Sequence, residues 1–240
     1  MTAQFRLSGL ARSETGCVRR HNEDSCCSRE DGLWAVADGM GGHENGEWAS
    51  RTIIDALVDV PLGDSFSDCW GAASRAIHAA NAEIWDEAER RSLQMGSTVV
   101  TLCARDGMFA VLWVGDSRAY LLRGGKLKPL TTDHTRVQEM VEGGLLAPEA
   151  AGDHPMRHIL ARAVGVEPEI EIEAVAGELE AGDRFLLCSD GLTGPLDDAE
   201  IAGLADLPLE AEALDALIGL TIERGAPDTG QPVRGSRMWQ

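Results

Sequence analysis

Across its 240 residues the sequence has no apolar run near the roughly 20 residues that a membrane-spanning helix needs, so membrane insertion is not expected. From Met1 to Leu10 there is no cationic stretch followed by an apolar core, so no export signal is expected. The six cysteines (Cys17, Cys26, Cys27, Cys69, Cys103 and Cys188) contain no C-x-x-C pair, which argues against zinc-ribbon and thioredoxin-like chemistry. Cys103 and Cys188 sit inside apolar runs and read as small core residues, and reduced thiols in the cytoplasm are the expectation. Positive charge is scarce: 21 Lys and Arg stand against 40 Asp and Glu, a net charge of -19. Such a surface repels nucleic acid and anionic lipid, so neither is an expected partner. No G-x-x-x-x-G-K-[ST] loop is present, which excludes that route to nucleotide binding. With no Pro- or Ser-rich linker and no internal repeat, one domain over residues 1–240 is expected.

What is present reads as an ordinary globular core, with 44% hydrophobic and 25% charged residues. Residues 32–37 form a short apolar run that the sequence stops at Asp38-Gly39. Runs at 96–104 and 107–114 flank Asp106-Gly107, and runs at 117–123 and 126–131 flank Gly124-Gly125, so two hairpins are predicted. Alternation over 169–175 predicts a half-exposed strand, and 184–188 a buried one. Helical spacing appears over 46–59, over 68–91 through Trp70, Ala73, Ile77, Ala80, Ile84 and Ala88, and over 209–223. A shorter helix is predicted over 134–142, closed by Gly143-Gly144. Hairpins grouped with helices argue for an α+β fold on antiparallel sheets. Residues 134–165 are rich in Gly, Pro and Ala and read as a flap beside a site.

Aspartates recur at the ends of the predicted strands: Asp38, Asp116, Asp190 and Asp228, with Asn22-Glu23-Asp24 beside another. Strand ends on one sheet edge converge in space, and hard cations take carboxylate, carbonyl and water oxygens. Any single Asp-Gly is usually only a turn. Several together, preceded by Arg19-x-x-Asn22-Glu23-Asp24, point to cation binding.

Eight segments carry a resemblance to a known family. They are Gly16 to Asp24, Val36 to His43, Gly96-Ser97-Thr98, Val114 to Tyr120, Leu130 to Thr135, Leu160 to Gly165, Leu187 to Leu192 and Gly225 to Asp228. In this order they resemble the metal-dependent protein phosphatases of the PPM or 2C type, in their compact bacterial form. The resemblance implies a central antiparallel β-sandwich flanked by helices on both faces, a four-layer αββα arrangement. It implies a binuclear Mn²⁺ or Mg²⁺ centre, with Asp38 bridging, Gly39 lending its carbonyl, and Asp190 and Asp228 completing one shell. Glu23, and Asp24 through water, would serve the second ion, and Asp116 with Asp190 a third, weaker one. A hydroxide shared by two cations would attack phosphorus in line. Arg19 would grip the phosphate. His43 would protonate the leaving alkoxide or position another group; His21, His134 or water are the other candidates.

The implied activity is hydrolysis of phosphoserine and phosphothreonine in protein substrates, opposing a bacterial Ser/Thr kinase. A catalytically weak or inactive phosphoprotein-binding module of the same fold is the alternative, and a phosphohydrolase of small esters a third reading. The sequence departs from the family after Asp228. Residues 229–240 contain a Pro, two Gly and two Arg and no strand pattern, so a sheet strand is expected to be lost or replaced there.

Overall fold

The computed structural model describes residues 7–12, 23–42 and 44–224, together with the backbone of residues 233–235. One sheet runs β2 (Asp24–Arg29), β3 (Leu33–Met40), β5 (Val99–Arg105), β6 (Met108–Val114) and β9 (Glu173–Glu178), with β4 (Gly96–Ser97) pairing the end of β3. The other runs β1 (Gly9–Ala11), β11 (Val233–Gly235), β10 (Arg184–Cys188), β7 (Arg118–Arg123) and β8 (Lys126–Pro129). Every named strand pair is antiparallel. The helices are α1 (Glu44–Asp59), α2 (Phe66–Arg91), α3 (Arg136–Glu142), α4 (Asp190–Thr193), α5 (Asp198–Ala205) and α6 (Glu210–Glu223).

The layers follow from the two faces of β3. Leu33, Ala35 and Ala37 point one way and pack with Ile53 and Leu57 of α1 and Ile77 and Ile84 of α2. Trp34 and Val36 point the other way and meet Leu121, Phe185 and Leu187 of the second sheet. The outer face of that sheet buries Tyr120, Leu186 and Cys188 against Leu192, Ile201 and Leu217 of α4, α5 and α6. Both faces of β3 are therefore apolar, as a strand covered on both sides must be. The result is the four-layer αββα sandwich.

Both predicted hairpins form, at Asp106-Gly107 and Gly124-Gly125. Four local expectations are corrected. The strand over 32–37 does not stop at Asp38-Gly39. It continues to Met40, because β2 and β4 pair with it through that point, and the chain turns only at Gly41-Gly42. The strand predicted over 169–175 begins at Glu173, because its partner β6 ends at Val114 and offers no ladder before it. Trp70 lies on the outer side of α2 (38% exposed), and Cys69 holds the buried position beside it. The tail does supply a strand. Residues 233–235 pair with β1 on one side and β10 on the other, so backbone pairing rather than side-chain alternation makes the element. Among the described residues no helix is long and apolar enough to cross a membrane.

The segment 134–165 is tied down at both ends. The His134 N–H donates to Gly115 O (2.9 Å), and Ser97 and Val164 exchange two bonds at 3.0 and 2.8 Å. Buried Asn81 of α2 holds the distal end, accepting from Gly165 N–H at 2.7 Å and donating to Glu167 O and Pro168 O. Gly165 has φ +86°, and a Cβ there would lie 2.1 Å from Ile84 Cγ2. Gly165→Ala is therefore expected to destabilise the protein by about 2–4 kcal/mol, read as a lowered urea midpoint at unchanged slope.

Candidate functional site

The site is organised by one row of residues across the first sheet. Asp24 of β2 stands directly opposite Asp38 of β3. On the other side of β3 the ladder pairs Val36 with Val100 and Gly39 with Ser97, which places Thr98 opposite Asp38. The pairing of Val99 with Val114 carries the row one step further, to Gly115. Asp38 shares the face of Trp34 and Val36, so the two carboxylates look into the space between the sheets. From the second sheet, β10 delivers Ser189, whose hydroxyl donates to Asp24 Oδ2 (3.3 Å), and then Asp190. The turn between β6 and β7 delivers Asp116, which is 8% exposed.

The backbone around Asp38 is clamped. Its N–H donates to Thr98 Oγ1 (3.1 Å), and its carbonyl accepts from Ser97 Oγ and Thr98 N–H, both at 2.8 Å. Gly39 N–H donates to Glu23 O (3.1 Å), and Ser50 Oγ of α1 donates to the same carbonyl at 2.6 Å. The Glu23 carboxylate lies over the first turn of α1, where a Cβ on Gly46 would meet Oε2 at 2.4 Å. Acidic groups are favoured at that end of a helix. Gly39 must be glycine: a Cβ there would come within 2.0 Å of Gly46 O, so α1 could not approach β3.

Four carboxylates brought together repel one another. Burial, then the charges of Asp24, Asp190 and Asp116, hold the Asp38 carboxyl well above its usual range. Burial first, then Asp190 and Asp133, push Asp116 up to about 7. Like charges opposed across a ladder are destabilising unless something neutralises them. The donor set is all oxygen, which fits a hard divalent cation. Among the described residues no three of these side chains by themselves close on a single point. Asp228, expected to complete the set, lies outside the described residues, as do Arg19, His21 and His43. Of the expected ligands, Asp24, Asp38, Asp116 and Asp190 act on one another by charge, and Gly39 and Glu23 adjoin them, joined by the hydrogen bond from Gly39 N–H to Glu23 O.

His134, one of the alternative acids, is not poised for that role. Its Nδ1 accepts from Gly115 N–H (3.1 Å), so Nε2 carries the proton and faces Glu173 Oε1 at 3.1 Å. Burial lowers its pKa and keeps it neutral. Asp133 is structural, forming a two-pronged pair with Arg118 at 2.8 and 2.6 Å. Trp34 and Trp113 are core. Sequence reasoning passed over His158, whose Nδ1 lies 4.0 Å from Asp190 Oδ2. It lines a cavity of about 270 Å³ beside Asp116 and Asp190, walled by Arg157, Gln138 and Thr193. A histidine within a loop-rich segment gives no spacing signal, and only the packing of that segment against α4 reveals it.

Comparison with known proteins agrees with this geometry. The sequence profile of the family described as Protein phosphatase 2C matches residues 18–217. The serine/threonine protein phosphatase PstP of Mycobacterium tuberculosis is 40% identical over 224 residues, 92% of this chain. The chain spans only 43% of that protein's length. Among solved structures, PppA of Pseudomonas aeruginosa, described as a key regulatory component of T6SS, superposes with a TM-score of 0.90 at 37% identity. That similarity covers 97% of this chain and 98% of PppA. The catalytic domain of PstP in complex with two manganese ions matches with a TM-score of 0.85 at 37% identity, over 99% of this chain and 100% of that one.

Proposed function

The chain belongs to the protein phosphatase 2C family, and from that premise we propose that it is a metal-dependent protein serine/threonine phosphatase. The observation that supports this most directly is the cross-strand pair Asp24–Asp38, faced by Asp116 from the β6–β7 turn and Asp190 from the start of α4. Such an all-oxygen set suits hard cations held between its members. We propose that Asp38, the carbonyl of Gly39, Asp190 and Asp228 hold one Mn²⁺ or Mg²⁺ ion, Glu23 and Asp24 a second, and Asp116 with Asp190 a weaker third. When bound, such ions lower the pKa of water for attack on phosphorus and offset charge on the phosphoryl group.

The chain's own groups do the rest. Ser97 and Thr98 fix the Asp38 backbone, so its carboxylate keeps one direction. Arg19 grips two phosphate oxygens, as a guanidinium suits. His43 supplies the proton that the leaving serine or threonine alkoxide needs. The cavity beside Asp190, under the segment 134–165, receives substrate residues that flank the phosphoresidue. We place the enzyme in the cytoplasm, opposite a Ser/Thr kinase.

The test is hydrolysis of a phosphothreonine peptide with Mn²⁺ and with EDTA, with Arg19→Ala alongside. Turnover is expected only with metal, and Arg19→Ala is expected to raise KM and lower kcat/KM by about 10²-fold, the value of a lost charge-assisted pair in a dry site. Binding of Mn²⁺ and phosphopeptide without turnover would overturn the enzyme reading in favour of a binding module.

A further inference from the structure

Thr98 occupies the crossing point of the row that builds the site. On one side its hydroxyl accepts the Asp38 N–H at 3.1 Å. On the other it shares a 2.6 Å hydrogen bond with Ser117 Oγ, next in sequence to Asp116. Its methyl fills the place that a side chain on residue 115 would take. A Cβ on Gly115 would lie 2.6 Å from Thr98 Cγ2, and that glycine has φ +107°. Thr98 and Ser117 are 3% and 1% exposed, so neither hydroxyl exchanges its partner for bulk water. The two are the only side-chain hydroxyls among the described residues that join the Asp38 strand to the Asp116 turn through a single contact.

We propose that Thr98 and Ser117 are positioning residues that fix the separation of Asp38 from Asp116, and thereby set the affinity of the chain for its divalent cations. The proposal rests on the reading that these aspartates hold metal. The physical reason is that carboxylates crowded without a cation push apart, whereas a cation needs them at a fixed reach. A short hydroxyl bridge holds the two supporting backbones against that repulsion before the ion arrives. The held geometry then belongs to the metal-free protein, and the ion need not impose it.

The experiment is Mn²⁺ titration of metal-stripped protein by calorimetry, supported by the Mn²⁺ dependence of the melting temperature. Thr98→Val keeps the shape and removes the hydroxyl; Thr98→Ser restores it. Ser117→Ala removes the other half of the bridge. Thr101→Val is the control, because Thr101 is likewise buried, on the strand β5 that follows Thr98, and its hydroxyl has no partner among the described residues.

Thr98→Val is expected to weaken Mn²⁺ binding by about 10–100-fold, the usual loss when a group supporting a ligand is removed. Thr98→Ser should recover most of it, and Thr101→Val should bind as the unaltered protein does. Ser117→Ala should weaken binding in the same direction and add little to Thr98→Val, since one bridge is cut either way. Should Thr98→Val not fold, Ser117→Ala decides alone. Binding within about twofold of the unaltered protein for the folded variants, with only the metal-free melting temperature lowered, would overturn the proposal by showing a packing role. No Mn²⁺ binding by the unaltered protein would instead overturn the reading beneath it.

Discussion

Asp38→Asn is expected to do two opposite things: abolish turnover and stabilise the metal-free protein. The loss of activity follows if Asp38 is the shared ligand. Removing its charge lowers the hold on both core cations, and several kcal/mol of transition-state stabilisation corresponds to a fall of at least about 10³-fold in kcat/KM. The gain in stability follows from the same placement. Asp38 stands opposite Asp24 in the ladder and faces Asp116 and Asp190. At neutral pH the folded, metal-free chain must either keep Asp38 charged among them or hold a proton on it that the unfolded chain would release. Both favour unfolding, and asparagine removes both. The melting temperature of the metal-free variant should rise by about 2–4 °C for each kcal/mol recovered. Its response to Mn²⁺ should shrink. A general folding defect would lower activity and stability together, so differential scanning calorimetry in EDTA separates the two. A lower melting temperature for Asp38→Asn, or retained turnover, would refute the assignment.

The sandwich was legible in the sequence where turns and apolar runs coincide. Asp106-Gly107 and Gly124-Gly125 mark hairpins because the chain can reverse there in two residues, and both form. The long stripe of α2 gave that helix away, although its first buried residue is Cys69 and not Trp70. Helix α5 escaped the hydrophobic pattern, yet its start carries a signal: Asp197 and Glu200 cap each other's backbone N–H groups. The aspartates of the site were legible as residues, and the resemblance gave them roles. Their arrangement was not. That Asp24 opposes Asp38, and that Thr98 lies between Asp38 and Gly115, is a matter of register, and register is set by pairings across tens of residues. The same limit explains the tail, where three residues form a strand through the backbones of β1 and β10 rather than through their own side chains.

The stabilisation that Mn²⁺ confers is expected to grow as pH rises from about 5 to about 7.5. Asp116 is pushed up to about 7, from an ordinary value of 3.8, and Asp38 is raised as well. Between the unfolded and folded values the folded chain binds more protons than the unfolded one. Stability then falls as pH increases, the reverse of the usual carboxylate case. This contribution is fully present below pH 3.8 and is lost by the time pH passes about 7. His134 works in the other direction, because its pKa is lowered in the fold and its contribution is lost as pH falls below 6.5. Asp31 is also lowered, by the hydrogen bonds and charge of Arg29, and its contribution disappears only on further acidification, below 3.8. Neither group touches the cation set, so both cancel in the difference between Mn²⁺-saturated and metal-stripped protein at the same pH. At low pH protons already quiet the repulsion, and the cation must displace them; near pH 7.5 the site is charged and the cation supplies all of the neutralisation. With Mn²⁺ at about 100 times its dissociation constant, the shift at the upper end should be about 2.7 kcal/mol, or roughly 5–10 °C. Asp116→Asn should flatten the pH dependence of the difference more than it lowers its value at pH 5. A difference that stays constant from pH 5 to 7.5, or one that shrinks, would show that these carboxylates do not take up the ion.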